Sequence, residues 1–270
     1  MNNLNMYCIT VNDGHIDSIN QTGYTPVGLG NNINSKKFLR DLSGINISKK
    51  NPFYGEYTFH YWLWKNKIND LDNKWIGFCQ YRKFWVEQTT KTNVSNFNDL
   101  DKILLKSIPK SIDNYESIIG EPFYVNQFRF SKFIKKNFTT MLKRPILFFD
   151  KSKRNLEFHF DMMHGHGNLL KAIDLLDSSE REDFKSYVKN SVWFSPHNMF
   201  ICKSKEILIK YYESVFPWLE RCENKFGFEL EGYGLKRIYG FLAERYMSYW
   251  FQKYTKFKLM PILFKDISDF

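Results

Sequence analysis

The chain lacks any apolar run approaching the ~20 residues needed to span a bilayer. Its first residues show no charged stretch leading into an apolar core, so it reads without a signal peptide. Cysteine is scarce: the 4 present, Cys8, Cys79, Cys202 and Cys222, show no zinc-like spacing. Three of them lie in apolar strand-like or helical contexts, which predicts buried thiols in a reducing compartment. Together these absences predict a cytoplasmic protein, or one peripheral at the inner membrane face. No internal repeat, low-complexity tract or linker interrupts the 270 residues, so residues 1–270 read as a single domain. The Gly28-Leu29-Gly30 triplet never completes G-x-G-x-x-G before a helix, which excludes a dinucleotide fingerprint.

What is present is charge and aromatic surface. The net charge is +10, and 26 Phe, 16 Tyr and 7 Trp make 18% of the chain aromatic. Such a balance suits an anionic nucleotide sugar, a lipid-diphosphate acceptor or an acidic membrane face. It also matches a Lys-rich surface over a Phe-rich core. Nucleic-acid binding would use the same composition, but the basic residues are scattered and no nucleic-acid motif is present. No nucleic-acid partner is therefore expected.

Short apolar strands alternate with helical stripes, the pattern of an α/β fold with a mostly parallel sheet. Met6–Val11 reads as the first strand, and Asn12 and Asp13 follow in its turn, where such domains commonly meet a base and ribose. Tyr24–Gly30 and Tyr115–Phe123 read as further strands. Asn51 as an N-cap and Pro52 at the first helical position open a helix running to Asn66. Trp75–Cys79 is a strand that delivers Gln80, Tyr81, Arg82 and Lys83 in succession. Ligands of open α/β sheets bind beyond the carboxyl ends of strands, so a cation pair there suits an anion. The chain is read as holding no D-x-D metal-binding pair anywhere, and Arg82 with Lys83 stands where such a pair would be expected. Activity is accordingly expected without a strict need for a divalent metal, and no metal site or cofactor is assigned. Residues 127–149 read as a basic, aromatic insertion, either mobile and membrane-contacting or a solvated face over the core. Phe158–Leu176 reads as a helix interrupted at Gly165 and Gly167, Glu206–Arg221 as an amphipathic helix, and Leu235–Tyr254 as the last long helix.

Three blocks carry a resemblance. The first, Asn46-Ile47-Ser48 through Asn51, Tyr54, Glu56, Thr58, Tyr61, Trp62, Trp64, Lys65 and Asn66, is followed by Gly77, Tyr81 and Arg82. The second begins at His197-Asn198-Met199-Phe200-Ile201. The third contains Arg237, Gly240-Phe241-Leu242 and Glu244-Arg245. These resemble the signature of the DUF4422 family, whose members sit in bacterial capsule and exopolysaccharide gene clusters. The resemblance implies a GT-A-like glycosyltransferase fold and, for some members, galactofuranosyl transfer. Gln80 stands where the family usually has His, Lys83 where it has a second Arg, and Asn168 where a His-x-x-x-Asp-Leu segment has Asp.

That resemblance implies transfer of a sugar from a UDP-sugar to a growing glycan or lipid-linked glycan. Asn12, Asp13, Gln80, Tyr81, Arg82 and Lys83 are then donor-side candidates, and Glu56, His197, Asn198 and Arg245 substrate-side candidates. The acceptor hydroxyl must lose a proton, which needs a carboxylate or imidazole within hydrogen-bond reach. Glu244, Glu231, Asp161 and His164 are the candidates. Adjacent helical residues point about 100° apart, so Glu244 and Arg245 need not pair. A metal site at His164-Gly165-His166 has too few ligands. A catalytically silent relative acting as a scaffold in polysaccharide assembly competes with the enzyme reading, motivated by Gln80.

Overall fold

The computed structural model describes residues 2–72, 74–88, 94–127 and 150–270. Nearly all of the insertion expected at 127–149 lies outside them. The chain-order strands are β1 (Asn2–Thr10), β2 (Thr25–Gly28), β3 (Trp75–Gln80), β4 (Lys83–Trp85), β5 (Ser107–Ile108) and β6 (Ser117–Gly120). They continue as β7 (Phe123–Tyr124), β8 (Trp193–Phe194), β9 (Phe200–Cys202), β10 (Phe257–Met260) and β11 (Ile262–Phe264).

The central path runs β10-β6-β9-β3-β1-β2. β1 pairs in parallel with both β2 and β3, and β10 with β6. β9 pairs antiparallel to both of its neighbours, β3 and β6. Five strands of the path therefore share one direction, and β9 alone opposes them. This is the α/β, GT-A-like architecture with a mostly parallel central sheet that the sequence predicts.

Side-chain alternation explains the layers. In β1, Tyr7 and Ile9 face the larger core while Met6 and Cys8 face the smaller one. In β3, Ile76 and Phe78 go one way and Trp75 and Cys79 the other. Full burial of each such side chain is worth ~1.5–3 kcal/mol. The larger core is closed by helices Tyr57–Asn66, Lys205–Phe226 and Ile238–Tyr254. All four cysteines are free and buried, as expected from their apolar contexts.

Two local features depart from the sequence reading. Asn51 is not the N-cap; Lys50 holds that place and the short helix Asn51–Tyr54 stops at Gly55. Gly55 has φ 59° and ψ −134°, a conformation that favours glycine, so the expected single helix is broken in two. Asn51 instead donates to the Gly55 carbonyl and to Thr58 Oγ1, at 3.0 and 3.3 Å, bridging the break. The second departure follows β3. Gln80 pairs directly with Lys83 across a tight turn, so Tyr81 and Arg82 form a hairpin tip, where the sequence reading assigned no returning strand.

The antiparallel strand β9 has a consequence for position. Its amino end lies at the same edge as the carboxyl ends of β3 and β6. The residues just before it, His197 and Asn198, are thereby brought beside Gln80.

Candidate functional site

Two cavities open along this carboxyl edge. The first, about 230 Å³, is walled by Ile9–Val11 of β1, Leu29 after β2, Gln80–Arg82 after β3, and Glu56 and Arg237. The second, about 620 Å³, is walled by aromatic and apolar side chains, among them Phe194, Tyr233 and Phe241, with His164, Glu231 and Arg245. Gln80 belongs to the first and His197 to the second, and Gln80 Nε2 donates to the His197 carbonyl at 3.0 Å. The partition between the cavities is thus one hydrogen bond thick at that point.

A polar chain runs through the partition. Lys83 Nζ donates to Gln80 Oε1 at 3.0 Å. Glu56 Oε1 accepts from Asn198 Nδ2 at 3.0 Å and, more distantly, from Gln80 Nε2 at 3.4 Å. Its other oxygen lies 3.5 Å from the Arg237 guanidinium. Gly55 makes room for that guanidinium: a Cβ there would stand 2.3 Å from Arg237 Nη2. Burial holds the Lys83 ammonium below its ordinary pKa, with Glu56 and Glu244 opposing that shift and Arg82 and Arg237 adding to it. Arg82 is exposed at the hairpin tip, its guanidinium 5.3 Å from the Tyr81 ring centroid. Among the described residues it has no ion-pair or side-chain hydrogen-bond partner.

His197 and Asn198 have φ of 79° and 53°, left-handed conformations that cost ~1–3 kcal/mol each outside glycine. Surrounding groups over-determine the turn. Glu244 Oε1 accepts from the His197 N–H at 2.5 Å, and Asn198 Nδ2 also reaches the Gly240 carbonyl at 3.2 Å. Glu244 Oε2 is bound by Arg245, so the two adjacent helical residues do pair, against the sequence expectation. The reason is packing: the Arg245 guanidinium lies 3.7 Å over the Phe194 ring, which draws the long side chain back toward Glu244. Arg245 is only 2% exposed and Glu244 9%, so this is a buried ion pair with both carboxylate oxygens engaged.

The other candidates fall as follows. Glu231 is exposed at the rim of the larger cavity and has no ion-pair or hydrogen-bond partner among the described residues. His164 is 4% exposed and donates from Nδ1 to the Gly234 carbonyl at 3.0 Å, which leaves Nε2 as an acceptor facing no described partner. Its ring stacks on Phe241 with centroids 4.0 Å apart. Asp161 is off the wall of either cavity; Gly167 N–H and the His166 ring occupy its oxygens at 3.0 and 2.8 Å. Asn12 caps its own turn by accepting from Gly14 N–H, and Asp13 accepts from Ser35 N–H, both at 3.0 Å. They lie just past Val11, the last β1-side residue of the smaller cavity.

Burial lowers the pKa of His164 and of His197 from the ordinary 6.5 to about 3, with nearby Arg245, and Lys83 and Arg82, respectively adding to the effect. Both imidazoles are neutral at pH 7.

The sequence does carry two D-x-D triplets that motif reading passed over, Asp70-Leu71-Asp72 and Asp99-Leu100-Asp101. Neither is at this edge. Asp70 and Asp72 are exposed and pair with Lys67 and Lys74 just before β3, at its opposite end. Asp99 accepts from Ser95 Oγ, and Asp101 pairs with Lys106. Among the described wall residues of the smaller cavity the cations are Arg82 and Arg237, with the Gln80 amide also on the wall and Glu56 the one carboxylate and already shared. That donor set does not fit a divalent cation. Among the described residues no cluster of three His, Cys, Asp or Glu side chains could hold a metal.

Arg237 is the residue of this site that the sequence reading did not assign. It stands in the same family-matched block as Gly240 and Glu244, and that spacing was the available signal.

Sheet order and cleft together define an α/β protein with a mostly parallel central sheet and an open cleft at the carboxyl ends of its strands. The chain belongs to the DUF4422 family, described as a domain of unknown function, whose family model matches residues 8–256. Its fold is similar to that of the apo structure of the WbbM bifunctional glycosyltransferase, with a TM-score of 0.70 at 21% identity. That likeness covers 98% of this chain and 45% of WbbM, so the chain spans less than half of that protein's length. No curated protein sequence matches it. Among the described residues no helix is long and apolar enough to cross a membrane.

Proposed function

We propose that the chain is a glycosyltransferase that moves a sugar from a UDP-sugar to a glycan or lipid-linked glycan during surface polysaccharide assembly, working as one domain. The observation that carries this reading is the pair of adjoining cavities at one sheet edge, one cationic and one aromatic, with a shared wall. The fold shared with WbbM and the family membership support it. UDP-galactofuranose is the first donor to test, given the galactofuranosyl link in the family.

In this reading the diphosphate lies in the smaller cavity against Arg82 and Arg237. A guanidinium meets phosphate oxygens in bidentate fashion and keeps its charge throughout. As the anomeric carbon–oxygen bond to the diphosphate breaks, the charge growing on the leaving group is met by these cations, and no divalent metal is required. The acceptor approaches from the larger cavity. Glu231 takes the proton of its attacking hydroxyl as the new glycosidic bond forms. Glu244 is unsuited to that role because both oxygens are already bound. It holds the His197 turn instead.

The test is a thermal-shift screen of nucleoside diphosphates and their sugars, followed by product analysis with glycan acceptors in EDTA. A ligand that binds the folded state raises the melting temperature with its concentration. Stabilisation by UDP and UDP-sugars, with transfer persisting in EDTA, is expected. No stabilisation by any nucleotide would sink the proposal, and stabilisation without turnover on any acceptor would favour the scaffold reading.

A further inference from the structure

The larger cavity has a chemistry of its own, and the ligand preference inferred for it rests on its proposed role as the acceptor side. Its volume, about 620 Å³, lies within the ~300–1,000 Å³ of small-molecule sites. Three aromatic rings offer apolar faces to it: Tyr233, 70% exposed, Phe123 at the rim, and Phe241. The C–H face of a sugar ring buries its apolar area against such surfaces.

Its charges are arranged differently from those of the neighbouring cavity. The Arg245 guanidinium is neutralised by Glu244 and covered by the Phe194 ring. The imidazoles of His164 and His197 are uncharged at neutral pH. The carboxylate without an ion-pair partner among the described wall residues is Glu231. Among the described wall residues a negative occupant therefore meets no free cation and one like charge. His164 adds a second discriminating feature. Its Nδ1–H is committed to the Gly234 carbonyl, so Nε2 can only accept. A hydroxyl can donate to that lone pair, whereas a carboxylate has no proton to give.

We propose that this cavity binds an uncharged sugar unit of the acceptor, stacked on Tyr233 and Phe241 with a hydroxyl donated to His164 Nε2, and that it rejects acidic sugars at the same position.

The test compares two disaccharides that differ only at C6, digalactose and digalacturonate, by saturation-transfer NMR and titration calorimetry on the full chain with and without UDP. The neutral sugar should bind ~5–10-fold more tightly than the uronate. Tyr233→Ala, at a 70% exposed position, should weaken the neutral sugar several-fold; because Arg237 donates to the Tyr233 hydroxyl at 3.3 Å, Tyr233→Phe, which keeps the ring and loses that bond, is run beside it and should keep sugar binding. Glu231→Gln should narrow the gap between the two sugars. Equal or tighter binding of digalacturonate overturns the proposal, as does failure of digalactose to bind. UDP binding reports separately: its loss with the sugar preference intact would sink the donor assignment and leave this inference standing.

Discussion

The two cavities lie side by side, share one wall, and are opposite in kind. The smaller is built from strand ends and a hairpin tip, where backbone turns leave Arg82 exposed and Gly55 admits Arg237. The larger is built from helices, and its one buried cation is neutralised within its own wall. In the proposed reading, this difference lets one sheet edge serve two ligands. A strand end presents unsatisfied charge cheaply because water still reaches it. The inner wall of the larger cavity is closed to water, so the charge buried there, Arg245, is paired internally with Glu244, while Glu231 at the wet rim stays unpaired. The His197–Asn198 turn is the seam between them, held from one side by Glu56 and Gln80 and from the other by Glu244.

The largest expected effect comes from the larger cavity's rim. Glu231→Gln should lower kcat by ~10²–10⁴-fold while melting temperature and UDP affinity stay unchanged. Turnover within a few-fold of the parent would remove Glu231 as the base. The seam should fail next. Glu244→Ala leaves Arg245 buried without its counter-charge and frees the His197 turn, and should cost ~3–5 kcal/mol of stability. Urea unfolding measures this, and an unchanged midpoint would show that the pair does not hold the partition.

Gly55→Ala sharpens the comparison from the other side. It strains a positive-φ position at ~1–3 kcal/mol and its Cβ displaces the Arg237 guanidinium. Calorimetry should show weaker UDP binding in this variant with the neutral disaccharide unaffected; parallel losses would mean that the cavities do not act separately.

The remaining effect is global and belongs to neither cavity alone. His60, His164 and His197 each have a folded-state pKa near 3 against an ordinary 6.5, chiefly from burial. Their neutral forms favour the fold fully above about pH 6.5, and this contribution is lost as pH falls toward 3, because the unfolded chain takes up protons the folded one refuses. Each contributes up to ~1.4 kcal/mol per pH unit inside that window. A melting temperature that stays flat from pH 7 to 4 would contradict their burial.

Much of this architecture is legible in the sequence. The near-continuous apolar runs Met6–Val11 and Trp75–Cys79 identify the central strands, because a strand buried on both faces must be apolar at successive positions. The break at Gly165 and Gly167 separates helices Leu156–His164 and Asn168–Ile173 as read. What escaped reading depends on distant partners. Nothing local to Asn51-Pro52 announces that Gly55 will turn the chain to receive Arg237 from 182 positions away. The left-handed turn at His197 is stabilised by Glu244, 47 residues on. Glu244 and Arg245 pair because Phe194 recruits the guanidinium, a contact invisible to helical spacing.

The most direct test of the central claim, that the strand-end cavity takes a nucleoside diphosphate through its free guanidinium, is titration calorimetry of UDP into the full chain and its Arg82→Ala variant. Because Arg82 has no ion-pair partner among the described residues, its removal should leave the fold intact. The account predicts binding to the parent and a ~10–100-fold loss in the variant, equivalent to one charge-assisted contact of ~1.5–3 kcal/mol. UDP binding of equal strength to both proteins, or to neither, would contradict it.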